Sequence, residues 1–157
     1  MKTKMGINEE LLSKVAFELS TLLADEFILY AKTRNAHWNV EGPDFHSVHK
    51  FFEDQYKLLD DVIDEIAERV RALGHYAPAS LGQFTKLTRL SERSMETNRS
   101  AGFMKELLLD HEAIIIACRE SIRTFMGESE DVGSSDFVVG LVEKHEKMAW
   151  MLRSHLI

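Results

Sequence analysis

The sequence is poor in residues that cross-link or interrupt a chain. Its 157 residues include one cysteine, Cys118, two prolines and eight glycines. A single cysteine excludes an intrachain disulfide, and this fits a reducing, cytoplasmic setting. The scarcity of proline and the position of most glycines between periodic segments favour long, uninterrupted helices.

Long apolar runs and basic tails are also lacking. The longest apolar run, residues 113–118, is far too short to cross a bilayer, so no membrane partner is expected. The only bases ahead of Lys14 are Lys2 and Lys4, and no apolar segment follows them, so we expect no secretory signal. The net charge is −7, with 26 acidic and 19 basic residues. This balance disfavours nucleic acid, and we expect weak or no DNA binding and no nucleoid association.

Apolar residues recur at helical spacing in four long segments. We predict long helices at 8–39, 43–73, 100–126 and 134–155, and a short helix at 81–87. Asn8 is a suitable N-cap for the first helix, and Gly74 is a suitable stop for the second. By the same spacing, Phe45 belongs to the apolar face of the second helix.

The lengths of the connections predict the topology. The first and second long helices, and the third and fourth, are joined by short loops, so each pair is antiparallel. The connection between the second and third is long enough to return along a helix of roughly 45 Å, so these two helices can run parallel. One long crossover is the ferritin-like arrangement of a four-helix bundle. We therefore predict one all-α, ferritin-like domain over 1–157, with a short helix in its crossover.

Imidazoles and carboxylates are concentrated between residues 37 and 68, and they are ligands that suit transition metals such as iron. The candidate ligands are His37, His49, Glu53, Asp64 and Glu68. His49 and Glu53 are four residues apart, as are Asp64 and Glu68, so each pair shares a helix face. Each residue alone also has a simpler interpretation, as a core or interface histidine or as part of a solvated acidic face.

The spacing of these candidates does not allow one site in one chain. His49 precedes Asp64 by 15 residues, which is roughly 22 Å of helix. His37 lies across the Gly42-Pro43 turn, so it can approach His49 but not Asp64. The chain therefore offers two half-sites, one with the histidines and one with Asp64 and Glu68. An antiparallel two-fold dimer would join the histidine half-site of each chain to the acidic half-site of the other.

A di-iron site inside a single bundle uses Glu-x-x-His motifs, and this sequence has none. Leu108 stands three residues before His111, and Val142 stands three residues before His145. This absence disfavours an ordinary ferritin-type centre, and we expect structural roles for both histidines.

The motifs H-W-N-V-E-G at 37–42, F-H-S-V-H-K-F-F at 45–52 and D-E-I-A-E-R at 64–69 resemble those of the Dps family, the mini-ferritins. The resemblance extends to H-E-K-M-A-W-M-L-R-S-H-L at 145–156. It implies a cytoplasmic bacterial or archaeal homo-oligomer, a hollow dodecamer that oxidises Fe(II), preferably with hydrogen peroxide. Such a protein stores the ferric mineral and protects DNA from oxidative damage.

The resemblance also assigns roles to individual residues. It places two irons per inter-subunit site, on His37, His49, Glu53, Asp64 and Glu68. Glu53 stands where the family often has aspartate, so this ligand is one methylene longer; zinc is an alternative metal. Trp38 is implied as an electron donor to stray oxidants. Asp131 and Asp136 are implied to line an acidic pore, whereas Glu128 and Glu130 are expected to be solvated.

Two other functions stay open from the sequence. One is a nucleoid DNA-binding and compaction protein with secondary iron binding, for which Lys2 and Lys4 are the only candidate tail residues. The other is a non-catalytic shell protein with a degraded site, although the intact set of ligands argues against it.

Overall fold

The chain folds into five α-helices in a computed structural model that describes residues 4–94, 97–127 and 129–157. The helices are α1 (Glu9–Asn39), α2 (Phe45–Ala72), α3 (Leu81–Leu87), α4 (Ser100–Gly127) and α5 (Val132–Ser154). The described residues contain no strand, only an isolated bridge between Glu41 and Arg99. The predicted all-α fold is confirmed. The predicted domain, 1–157, also includes residues 1–3, 95, 96 and 128, which lie outside the described part.

Local chemistry sets several helix ends where the sequence predicted them. The Asn8 side chain caps α1 by accepting a hydrogen bond of 2.8 Å from the Glu10 amide. Ser80 and Gln83 form a capping box at α3, which explains how a helix of seven residues is stabilised. Gly74 has φ +90°, a backbone conformation that favours glycine, and it ends α2.

Two helix starts differ from the prediction. α2 begins at Phe45, so Pro43 lies before the helix and not in its first turn. α5 begins at Val132, two residues before the predicted 134, because the Asp131 side chain caps it. Val132 and Gly133, which the prediction left in the preceding loop, therefore belong to α5.

Side-chain contacts between helices give their directions. On α2 and α5, Glu65 pairs with Lys144, and the Gln55 amide donates to the Met148 carbonyl at 3.4 Å. The residue numbers rise on one helix as they fall on the other, so α2 and α5 are antiparallel. α4 and α5 are antiparallel by the same criterion, since Arg119 pairs with Glu146 and Arg153 with Glu112. α2 and α4 are therefore parallel, as the long crossover predicted.

The described part of the crossover contacts the bundle in its short helix and near its end. Phe84 of α3 stacks on Phe27 of α1 with ring centroids 4.4 Å apart. Near its end, the Asn98 carbonyl accepts a hydrogen bond of 2.8 Å from the Glu41 amide, beside the start of α2. The crossover thus returns the chain to the end of the bundle that carries His37 and His49.

Apolar side chains from all four long helices fill the interior, and each fully buried leucine or phenylalanine contributes about 1.5–3 kcal/mol. Cys118 belongs to this core, and burial raises the pKa of its thiol to about 12. Phe45 is an exception to the predicted apolar face, because 44% of it is exposed. Within the described part of the chain, no helix is both long and apolar enough to cross a membrane.

Candidate metal centre

His37 and His49 face each other across the turn between α1 and α2. Their rings stack with centroids 3.8 Å apart and planes 21° apart. The Nδ1 of His37 lies 2.8 Å from the His49 carbonyl oxygen, and the Nδ1 of His49 lies 2.7 Å from the His37 carbonyl oxygen. A carbonyl oxygen only accepts, so each Nδ1 carries the hydrogen. In a neutral imidazole, Nε2 then holds the lone pair that binds a metal.

Neighbouring rings hold this histidine pair in place. The Phe45 ring stacks on His49 at 5.0 Å, which accounts for its departure from the core. The Tyr56 ring meets His37 edge to face, at 5.2 Å and 76°. His37 is only 9% exposed. Both Nε2 atoms therefore belong to rings whose orientation is fixed before any metal arrives.

Glu53 lies one helical turn after His49 on α2, with 26% of its side chain exposed. Lys57 donates a hydrogen bond to one carboxylate oxygen, and Lys50 lies 3.4 Å from the other. The hydrogen bond from Lys57, aided by the charge of Lys50, lowers the pKa of Glu53. The carboxylate is therefore ionised, and the ammonium groups of Lys57 and Lys50 lie beside it.

Asp64 and Glu68 lie far from the histidines. Both are exposed on the later part of α2, which is continuous from Phe45 to Ala72. In the described part of the chain, neither carboxylate has a side-chain partner. The described part of the chain contains no group of three or more His, Cys, Asp or Glu side chains that could hold a metal ion. The structure thus brings His37 and His49 together and leaves Asp64 and Glu68 apart from them.

Trp38 is 63% exposed at the end of α1, next to the histidine pair. The Arg34 guanidinium carbon lies 5.0 Å from the centre of the Trp38 ring. It also lies 4.3 Å from the centre of the Tyr56 ring and 5.7 Å from that of Tyr30. One arginine therefore contacts three aromatic rings beside the candidate site.

The structure gives Asp131 a role besides the pore lining that the sequence suggested. It is 4% exposed, and its carboxylate accepts hydrogen bonds from the Ser134 amide at 2.9 Å and the Ser134 hydroxyl at 2.6 Å. Arg69 of α2 lies 3.5 Å from the same carboxylate. These partners hold the carboxylate at the start of α5 within its own chain, and the pore stays a prediction for Asp131.

The remaining acidic residues considered for the pore are Asp136, Glu128 and Glu130. Asp136 is exposed on α5, and the pore stays a prediction for this residue as well. Glu130 is exposed, as expected of a solvated side chain. Glu128, and the tail candidate Lys2, lie outside the described residues.

A buried polar row inside the bundle involves a residue that the sequence did not single out. Glu26, His145 and His111 are fully buried on α1, α5 and α4. The Nε2 of His145 lies 2.8 Å from a Glu26 oxygen, and its Nδ1 lies 2.9 Å from the Nδ1 of His111. Burial, and then His145, hold the pKa of His111 well below its usual value. His145 thus lies between Glu26 and His111, and the described residues contain no group of three or more His, Cys, Asp or Glu that could hold a metal ion.

The only sequence signal for Glu26 was its position on the core face of α1, four residues after Leu22 and three before Leu29. The predicted structural roles of His111 and His145 agree with their burial. The polar row occupies the interior of the bundle, where Glu-x-x-His motifs build a di-iron site in ferritin-type four-helix bundles.

Known proteins are similar to this chain in sequence and in fold. The family model of the ferritin-like domain matches residues 18–157. The chain is 36% identical, over 138 residues, to the DNA protection during starvation protein of Helicobacter pylori, covering 88% of this chain and 95% of that protein. It is 39% identical to an uncharacterized low temperature-induced protein of Nostoc, over 99% of this chain and 87% of the relative.

The fold agrees with the sequence matches. The Dps protein of Vibrio cholerae superposes with a TM-score of 0.90 at 28% identity, covering 99% of this chain and 100% of that one. That protein is described as a member of a broad superfamily of ferritin-like diiron-carboxylate proteins. By its sequence, its helix order and its single long crossover, the chain belongs to the Dps family of ferritin-like proteins.

Proposed function

We propose that this protein oxidises Fe(II) at a site shared between two copies of the chain, and stores the ferric product. The observation that carries the proposal is the histidine pair. Its mutual hydrogen bonds fix both rings with Nε2 as the free ligand atom, while the described part of the chain supplies no complete metal site. In a site shared between two chains, each chain supplies only part of the ligands. Here one chain brings two Nε2 ligands together but not enough carboxylates to complete the site.

The other half of the centre would come from a second copy. His37, His49 and Glu53 of one subunit would meet Asp64 and Glu68 of its partner, and the two-fold axis would create two such sites. Asp64 and Glu68 have no side-chain partners among the described residues, so they are available to ions. Zinc also binds imidazole and carboxylate and is the main competing metal.

The chemistry follows from holding two irons together as substrates. Two Fe(II) ions give one electron each to hydrogen peroxide, which takes up two protons and leaves as two waters. Both electrons arrive at one place, so the O–O bond breaks without releasing a hydroxyl radical. The ligands position the irons, and the ionised Glu53 compensates the charge that they gain.

Assembly and cellular role extend the same proposal. We infer a homo-oligomer of shared-site dimers, assembled into a hollow dodecamer in the cytoplasm of a bacterium or archaeon. A pore containing Asp136 would admit Fe(II), and removal of iron and peroxide would protect DNA. The name of the Helicobacter pylori relative supports the protective role. The net charge of −7 disfavours DNA compaction as the alternative function.

Complementation between two inactive variants tests the shared site. One variant carries His37→Ala with His49→Ala, and the other carries Asp64→Ala with Glu68→Ala. Each is loaded with Fe(II) without oxygen and pulsed with peroxide, and ferric absorbance is followed. Each variant alone should be inactive, because every site lacks one half.

Refolding the two variants together at equal amounts should restore activity. Half of randomly formed dimers are mixed, and one of their two sites is intact, so about a quarter of the wild-type rate is expected. Asp60→Ala, an exposed acidic substitution on the same helix, is the control and should be active. Activity in either double variant alone, or no gain in the mixture, would exclude the shared site.

A further inference from the structure

An oxidisable side chain touches the candidate iron site from inside the protein. The Tyr56 ring meets the ring of His37 edge to face, with centroids 5.2 Å apart. Among the described residues, the aromatic rings beside His49 are those of His37 and Phe45, and phenylalanine is not readily oxidised. Within the described part of the chain, Tyr56 is thus the only phenol or indole whose ring packs against a candidate ligand.

Tyr56 also begins a path that leads away from the site. Tyr30 of α1 lies edge to face with Tyr56, with ring centroids 6.1 Å apart and planes 87° apart. Arg34 covers both rings, and it donates a hydrogen bond of 3.2 Å to the Tyr30 hydroxyl. The three side chains are half-buried, so these contacts form a packed unit.

The geometry favours Tyr56 over Trp38 as the nearer donor. The Trp38 ring is 63% exposed, and among the described residues its ring contact is with Arg34 and not with either histidine. An exposed indole can react with oxidants that have already escaped. A phenol packed on a ligand can act before they escape.

We propose that Tyr56 donates an electron to the iron site when hydrogen peroxide arrives and only one Fe(II) is bound, and that Tyr30 then receives the oxidising equivalent. This inference rests on the proposed ferroxidase function. The proposed step occurs when a site holds one Fe(II). That state is dangerous for the cell, because one Fe(II) can supply only one of the two electrons that peroxide needs.

The step balances with Tyr56 as the second donor. Peroxide takes one electron from Fe(II) and one from the phenol, and its O–O bond breaks. The phenol gives up its hydroxyl proton, and one further proton comes from water, so the oxygens leave as two waters. The products are Fe(III) and a neutral tyrosyl radical on Tyr56. The Arg34 cation beside the ring disfavours a positively charged radical and so favours loss of the proton with the electron.

The chain has three tyrosines, which allows the radical to be assigned. Tyr76 is a matched control: it lies 4.4 Å from Arg71, as Tyr56 lies 4.3 Å from Arg34, but it is 88% exposed beyond the end of α2. The assembled protein is loaded with one Fe(II) per site without oxygen, mixed with one equivalent of peroxide and frozen for electron paramagnetic resonance. A spin trap in a parallel sample measures hydroxyl radical.

The wild type and Tyr76→Phe should give the same tyrosyl signal. Tyr56→Phe keeps the ring that packs on His37, and it should lose most of the signal and release more hydroxyl radical. Tyr30→Phe should retain a signal, confined to Tyr56. Circular dichroism of each variant confirms that it is folded.

Three results would overturn the proposal: no tyrosyl signal in the wild type, an undiminished signal in Tyr56→Phe, or a signal that disappears in Tyr76→Phe. Loading the wild type with two Fe(II) per site separates failure of the Tyr56 proposal from failure of the ferroxidase function. If two irons are oxidised by peroxide and no tyrosyl radical forms with one, only the role of Tyr56 is refuted.

Discussion

Lowering the pH should destabilise the protein through the buried histidine row. His111 is fully buried, and its pKa lies well below the usual 6.5, because burial and His145 both oppose its positive charge. In the unfolded chain it regains its usual pKa and takes up a proton as the pH falls. The unfolded state then binds more protons than the folded state, so this histidine does not lower the free energy of unfolding above about pH 6.5 and lowers it progressively below that pH.

The magnitude follows from proton linkage. At pH 5.5, one unit below the unfolded pKa, a histidine that stays neutral in the fold lowers the free energy of unfolding by about 1.4 kcal/mol. For a chain of this size, that corresponds to a decrease of about 3–6 °C in melting temperature. Other groups also titrate, so the contribution of His111 must be measured as a difference between variants.

Melting temperatures of the wild type and His111→Gln, measured at pH 7.5 and 5.5 and one protein concentration, test this expectation. Glutamine can still hydrogen-bond to His145 but does not titrate. The decrease between the two pH values should be smaller in His111→Gln by about 3–6 °C. His46→Gln is the control, since His46 is exposed in the fold and should not change the decrease. An equal decrease in the wild type and His111→Gln would refute the reasoning.

Three further expectations concern a competing cation, a helix cap and DNA. Lys57→Gln should lower the Kd for Fe(II) by up to about five-fold in anaerobic titrations, because an ammonium group no longer competes for Glu53; an unchanged or weaker affinity would contradict this. Asp131→Ala should lower the free energy of unfolding by about 2 kcal/mol in urea titrations, since α5 loses its cap; a change near zero would indicate that the cap is replaceable. A gel shift at physiological salt should show no retained DNA, and tight, salt-sensitive binding would restore the DNA-compaction alternative.

The sequence was sufficient for those parts of the fold that depend on neighbouring residues. Helical spacing of apolar residues predicted the four long helices. Asn8 and Gly74 act within a few residues of their own position, so their effects could be predicted from a short segment. The short helix of the crossover was also predicted, because its apolar residues lie within one short segment. The capping box of Ser80 and Gln83 that stabilises it is likewise complete within four residues.

Roles that depend on distant parts of the chain were not predicted. The internal partners of Asp131 were not predicted, because a local segment does not show that Arg69, 62 residues earlier, comes to lie beside it. Glu26 was missed because its partner His145 is on the last helix. Phe45 has the spacing of a core residue, but the nearest surface it can cover is the ring of His49. The shared iron site itself stays a prediction for the complementation experiment.

The stacking of the His37 and His49 rings makes them unsuitable for analysis as independent ligands. The backbone carbonyl that selects the tautomer of each ring is kept when the other side chain is replaced, but the remaining ring loses its stacking partner. A single alanine substitution should therefore weaken iron binding by more than the loss of one ligand. In a double-mutant cycle, the coupling energy between these two residues should differ from zero.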